Sequence, residues 1–180
     1  MERKIIVPGE TIITGDEFLP GNGSRKEGKD IVASRYGLVD ISERSVRVIP
    51  LSGVYIPRRG NTIIGQVLDV NFSGWIIDVG APSNGFITLS EVFGYVNKDE
   101  MKSMFNFGDM VVAKILNTSG KSIDLTVKMR GLGRLEDGMV IKVNPNKVPR
   151  IIGKEGSMVS QIKEITGCEI VVGQNGLVWI

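Results

Sequence analysis

TIIGQVLDV (62–70), WIIDVG (75–80), GFIT (85–88), MVVAKILN (110–117) and SIDLTVK (122–128) decide the fold. Each is a short run rich in β-branched and aromatic residues and bounded by Gly, Pro, Asn or Ser, the pattern of a strand. The last alternates cleanly: Ile123, Leu125 and Val127 fall on one face, and Ser122, Asp124, Thr126 and Lys128 on the other, the period of a half-buried strand. Trp75 shares its parity with Ile77 and Val79 and is expected in the core. Between the third and fourth runs lies NKDEMKSMF (97–105), where Asn97, with Glu100 three residues on, predicts the cap of a short helix. Five short strands with a helical insert after the third predict an OB-type barrel.

The pattern changes on both sides of this segment. Upstream, KIIV (4–7) and TIIT (11–14) are separated by the turn signal Pro8-Gly9-Glu10. LPGNGSRKEGKD (19–30) is polar and Gly-rich and reads as a loop. IVASRYGLVDI (31–41) and SVRVIPL (45–51) flank Ser42-Glu43-Arg44 as a hairpin. Residues 1–57 hold eight basic and eight acidic residues, and a neutral β-module of this kind reads as a docking surface. Downstream, MVIKV (139–143) reads as a strand and SMVSQIKEITG (157–167) as a helix. Met158, Ile162 and Ile165 fall at helical spacing, Ser157 is placed to cap the start and Gly167 to stop the end. CEIVVG and LVWI follow as strands joined through Gln174-Asn175-Gly176, a hairpin signal. Cys168 opens the first of them and reads as a small buried hydrophobe. The expected organisation is mainly β with a C-terminal α+β module: an N-terminal β domain (1–57), an OB barrel (58–130) and an α/β unit (131–180). That last unit needs a further helix to cover its sheet, so the sequence is expected to continue past Ile180.

Composition removes several function classes. There is no histidine, which takes away the usual general base near neutral pH and the commonest metal ligand. One cysteine excludes a disulfide framework and any CxxC zinc site. The pairs Asp99-Glu100 and Glu136-Asp137 are sequence neighbours, whose side chains diverge on a helix, so they make poor acid–base pairs. No catalytic residue and no metal site is expected. The apolar stretch before Pro8 is too short for a signal peptide, and no window approaches the roughly 18 apolar residues that cross a membrane. A cytoplasmic protein that works by binding is the expectation.

The strongest chemical signal is Arg150-Ile-Ile-Gly153-Lys154-Glu155-Gly156-Ser157. Glycines let backbone approach a ligand without a Cβ in the way, and the free amides at the start of a following helix attract anionic oxygens. Lys142, Lys147, Arg150 and Lys154 lie between 142 and 154 with no acidic residue among them. In a chain of net charge +2 this is a local phosphate-binding patch. Gly153-Lys-Glu-Gly-Ser lacks the glycine spacing of a P-loop, and Gly21-Asn-Gly lacks the third glycine of a dinucleotide fingerprint, so no nucleotide cofactor is expected. Arg58 and Arg59 at the barrel entrance and Lys121 in the 117–121 turn are further candidates for phosphate contact.

IIGKEGSMVSQIKEITGCEIVVGQNGLVWI resembles a KH domain, in which the G-x-x-G loop holds single-stranded RNA backbone. Residues 65–128 resemble an S1-type RNA-binding barrel. IIVPGETIITGDEFLPGNG together with RVIPLSGVYIPRRGNTIIGQV is similar to one family in particular, the S1/KH-containing cap subunit of the archaeal exosome. The resemblance implies a non-catalytic protein, three copies of which sit on a ring of RNase PH-like subunits and feed the 3′ end of single-stranded RNA inward for degradation. It carries the RNA-binding role to Lys147, Arg150, Gly153, Lys154, Glu155, Gly156 and Ser157. Where S1 barrels place aromatics on the second strand this sequence has Ser73 and Ile76, and Thr88 stands where the family often has His. Phe72 is then the exposed aromatic candidate. The competing reading is a free-standing RNA chaperone or translation-type RNA-binding factor. A nuclease is a third, for which neither a carboxylate cluster nor a general base is found.

Overall fold

A computed structural model describes residues 4–94, 101–119 and 122–180. The chain divides into two compact units, Met1–Gly53 and Val54–Ile180.

Seven strands build the first unit: β1 (Ile5–Ile6), β2 (Thr11–Thr14), β3 (Leu19–Pro20), β4 (Ser24–Glu27), β5 (Asp30–Ala33), β6 (Gly37–Ser42) and β7 (Ser45–Pro50). They form two sheets, ordered β1-β6-β7-β3 and β2-β5-β4. The predicted hairpin is β6–β7, in register from Gly37↔Pro50 to Ser42↔Ser45. Glu43 turns the corner at φ 52. Ile6, Ala33 and Val48 are buried together, with Ile12 and Val39 against them. Residues 19–30, expected as a loop, instead carry β3, β4 and the start of β5. Ser24–Glu27 has no apolar alternation, and it becomes a strand by pairing with Asp30–Ala33. The expected continuous strand over 31–41 is broken at Ser34–Tyr36 into β5 and β6.

The second unit contains the barrel: β8 (Thr62–Asn71), β9 (Gly74–Asp78), β10 (Gly85–Thr88), β11 (Met110–Thr118) and β12 (Ile123–Thr126). Their order is β12-β10-β9-β8-β11, and pairing of β11 with β12 closes the sheet on itself. β10 and β12 run parallel and the remaining neighbours antiparallel. All five strands fall where the alternation puts them. Ile63, Val67, Trp75, Ile77, Val79, Ile87, Val111, Ile115 and Leu125 fill the interior. Thr126 departs from its expected outward face and is buried, its hydroxyl donating to the Glu91 carbonyl at 3.4 Å. Of the helical insert, α1 (Met101–Met104) is described, and the predicted cap at Asn97 and Glu100 lies outside the described residues. The insert seals the barrel through Trp75, whose indole N–H donates to the carbonyls of Phe105 at 3.0 Å and Met101 at 3.3 Å. The Trp75 and Phe105 rings meet edge to face at 5.4 Å, a favoured aromatic geometry. A sixth strand, β13 (Gly133–Leu135), follows and pairs with the start of β11.

Tyr55 leads into the barrel, buried, with its hydroxyl donating to Asn61 Oδ1 at 2.9 Å. Burial pushes the phenol up to about 12, and the nearby Arg58 charge opposes this. A phenol that holds its proton more tightly folded than unfolded gives stability that is complete below pH ~10 and lost as pH climbs towards 12. An alkaline titration should therefore show a late-ionising tyrosine, and the loss of stability between those limits should shrink in Tyr55→Phe.

The chain closes with β14 (Val140–Lys142), α2 (Val148–Ile152), α3 (Ser157–Thr166), β15 (Val171–Val172) and β16 (Leu177–Trp179). The sheet order is β14-β16-β15, all antiparallel. α2 was not expected: VPRII carries Pro149, but in the first turn, where a proline sacrifices no helical hydrogen bond. Among the described residues no helix is long and apolar enough to cross a membrane.

Candidate nucleic-acid interface

The G-K-E-G turn joins α2 to α3, with Lys154 and Glu155 exposed and Gly153 and Gly156 half-buried. Gly153 (φ 75), Glu155 (φ 54) and Gly156 (φ 83) all adopt positive φ. Both glycines take a backbone angle that favours glycine, and Gly153 has a second reason to be glycine. A Cβ at 153 would lie within 2.7–2.9 Å of the Met158 backbone N and side chain, so nothing larger fits. A Cβ at 156 would meet nothing within 4 Å. Glycine is required there by backbone angle, and the space above it is open to a ligand. Glu155 pays the left-handed conformation itself, at a cost of about 1 kcal/mol.

Ser157 does not cap α3 as expected. It is the first helical residue, Gly156 takes the cap position, and no side chain caps the helix. No side chain therefore competes for the free amides at the start of this ten-residue helix, which follows Lys154 by three residues. Gly167 ends α3 as predicted, at φ 68 with its N–H on the Lys163 carbonyl. Lys142, Lys147, Arg150, Lys154 and Glu155 are all exposed. Among the described residues the four cations make no ion pair. Cys168, expected buried in a strand, is exposed and lies between the left-handed Gly167 that ends α3 and the start of β15.

The remaining candidates are spread over the barrel. Arg58 and Arg59 are exposed in the turn before β8, where the Asn61 N–H returns to the Arg58 carbonyl at 3.1 Å. Phe72 is 78% exposed at the other end of β8, so ten strand residues separate it from the arginines. Lys121 lies outside the described residues. Trp75 is fully buried and unavailable to bases. No group of three or more His, Cys, Asp or Glu side chains among the described residues could hold a metal ion.

One structural role escaped the sequence reading. β9 pairs with β8 only from Gln66 onward, leaving Thr62 and Ile64 to face another partner. The 174–176 turn fills that place. The Gln174 N–H donates to the Thr62 carbonyl at 2.8 Å, and the Thr62 N–H donates to Gln174 Oε1 at 3.1 Å. Asn175 is buried, and its amide behaves as a borrowed peptide group. Its Oδ1 accepts from the Ile64 N–H at 3.3 Å, and its Nδ2 donates to the carbonyls of Ile64 at 2.7 Å and Val79 at 3.0 Å. Asn-Gly signals a hairpin, but only long-range pairing reveals that the asparagine fastens the C-terminal module to the barrel.

Comparison with known proteins places these features. The "Exosome RNA binding protein RRP4 N-terminal domain" family matches residues 3–52 and the "KH domain" family residues 138–180. The exosome complex component Rrp4 of Methanothermobacter thermautotrophicus is 43% identical over 180 residues, 99% of this chain and 57% of that protein. That of Methanothermus fervidus is 39% identical, over 99% of this chain and 80% of that protein. A crystal structure described as a "putative exosome complex RNA-binding protein" is 32% identical with a TM-score of 0.62, covering 71% of this chain and 75% of that one. The chain spans less than two thirds of the Methanothermobacter protein's length. With a mainly β architecture, a closed barrel, a KH module and identity of about two fifths along its whole length, the chain belongs to the Rrp4 family of exosome complex components.

Proposed function

We propose that this chain is a non-catalytic, cytoplasmic RNA-binding cap subunit of an archaeal exosome, which captures single-stranded RNA and directs its 3′ end into a phosphorolytic ring of RNase PH-like subunits. Residues 1–57 dock on the ring, 58–130 form an S1-type barrel and 131–180 a KH domain. The observation that carries this reading is the exposed G-K-E-G turn. Its backbone is open above Gly156, no side chain caps the helix that starts there, Lys154 lies within the turn, and Lys142, Lys147 and Arg150 are exposed on the segment that leads into it. These groups grip sugar–phosphate, so little base preference is expected. With a net charge of only +2 a single copy holds RNA weakly. Three copies around a pore raise avidity by roughly 10²–10⁴ if the geometry lets them engage together.

Mixing the chain with an RNase PH-like ring tests the reading. The mass of the complex should correspond to three caps per ring, and decay of a long RNA should accelerate only in the mixture. A chain that binds RNA but leaves the ring's mass unchanged is a free-standing RNA-binding factor instead. RNA cleavage by the chain alone, with phosphate and Mg²⁺, would make it an enzyme.

A further inference from the structure

Three phenylalanines stand in water at one end of the barrel, each on a different loop. Phe72 (78% exposed) lies between β8 and β9, Phe93 (59%) follows β10, and Phe107 (73%) precedes β11. The strand register brings the three loops to the same end. Asn71 and Thr88 both pair with Gly74, and the Gly108 N–H donates to the Val67 carbonyl at 2.9 Å. The core does not need these rings, since Val92, next to Phe93, and Phe105, two residues before Phe107, supply the buried contacts.

Phe107 is held there by a polar frame. The Asn106 N–H donates to Asp109 Oδ2 at 2.7 Å, the Asp109 N–H to the Asn106 carbonyl at 3.1 Å, and the Gln66 amide to the Gly108 carbonyl at 3.2 Å. A ring carried on backbone that is already ordered leaves less conformational entropy to lose when something stacks on it.

Charge selects the occupant. The end of β12 is tied to this end of the barrel by the Val127 N–H on the Glu91 carbonyl. Just beyond it, Lys128 and Arg130 are exposed and make no ion pair among the described residues. The carboxylate of Asp109 is engaged by Arg134 at 3.3 Å. The outer face of β9, β10 and β12 offers the opposite: one half-buried ring, Phe86, beside the exposed carboxylates of Asp78 and Asp124. Asp69 and Glu91 lie at this end as well and are offset by Lys128 and Arg130, and exposed rings with these cations at the same end suit a polyanion with flat bases.

We infer that Phe72, Phe93 and Phe107 form a stacking rim for the bases of single-stranded RNA, which follows the end of the barrel rather than its outer sheet face. This rests on the RNA-binding reading above. It adds base contacts that the G-K-E-G turn does not make.

The test is anisotropy of the full chain with an end-labelled single-stranded oligoadenylate and with an abasic oligonucleotide of equal length. In Phe93→Ala/Phe107→Ala, oligoadenylate affinity should fall roughly five-fold or more per ring, with the log–log salt slope unchanged, because no phosphate contact is removed. The leucine pair should be as weak as the alanine pair and the tyrosine pair close to the parent. Binding of the abasic strand should not change. If the parent binds oligoadenylate and the alanine pair binds it equally well, the rim is overturned and the rings serve a protein surface, while the RNA-binding reading stands. Equal losses on the abasic strand would also overturn it. No binding by the parent removes both.

Discussion

Asn175→Ala should lower the stability of the Val54–Ile180 unit by about 2–4 kcal/mol. The substitution removes more than a contact. It strands the Ile64 N–H, the Ile64 carbonyl and the Val79 carbonyl, all of which take the Asn175 amide as partner, inside a site where the side chain itself is buried. Buried groups left without partners bear the desolvation cost that the amide now offsets. Asn175→Asp should be worse than alanine despite its matching shape, because it would point a carboxylate at two carbonyl oxygens that now receive N–H donors. Gln174→Ala is the control. Its side chain is exposed, its backbone N–H still reaches the Thr62 carbonyl, and it should cost under ~1 kcal/mol. Both tryptophans, Trp75 and Trp179, lie in this unit, so their fluorescence in a denaturant titration follows it apart from the N-terminal unit. Exchange of the Ile64 amide should accelerate in the same rank order, while Gln174→Ala should speed only the Thr62 amide, whose acceptor it removes. If alanine and aspartate behave alike, the side-chain amide is not acting as a rung of the sheet.

What could be read from the sequence divides along the range of the interactions. The barrel strands were legible because alternation such as Ile123-Asp124-Leu125 is local and states which face is wet. Trp75 was legible for the same reason. Ser24–Glu27 was not, since a polar run becomes a strand only by pairing with Asp30–Ala33. α2 was hidden by Pro149, a helix breaker everywhere except in the first turn it occupies. The G-K-E-G turn was visible as a motif, and its geometry adds what the letters could not: Gly153 is fixed by φ and by the closeness of Met158, and Gly156 by φ alone. Asn175 is the clearest limit. Its two neighbours in the turn explain its presence as a hairpin residue, and its partners lie 111 and 96 positions away in the chain. Phe93 and Phe107 carry no local signal of their surroundings, and only the folded chain shows that both rings stand in water.

Lys154→Asp/Glu155→Asp should reduce RNA affinity by at least tenfold while leaving the fold intact. The expectation of a preserved fold comes from the backbone. Position 155 sits at φ 54, and aspartate tolerates that region better than glutamate does. Position 154 is exposed and outside the core. The binding loss comes from charge. The pair exchanges a cation at the turn for an anion, beside the open backbone over Gly156 and the uncapped start of α3. A phosphate held there would then face repulsion where it had attraction. Because each phosphate contact contributes a slope of roughly 0.7 to the fall of log affinity with log salt on single strands, the variant should also show a flatter salt dependence, by about one such unit. Flattening separates this change from the loss of the phenylalanine rim, which should weaken binding without altering the slope. A variant that keeps both its affinity and its slope would mean that RNA enters this protein without touching the turn between α2 and α3.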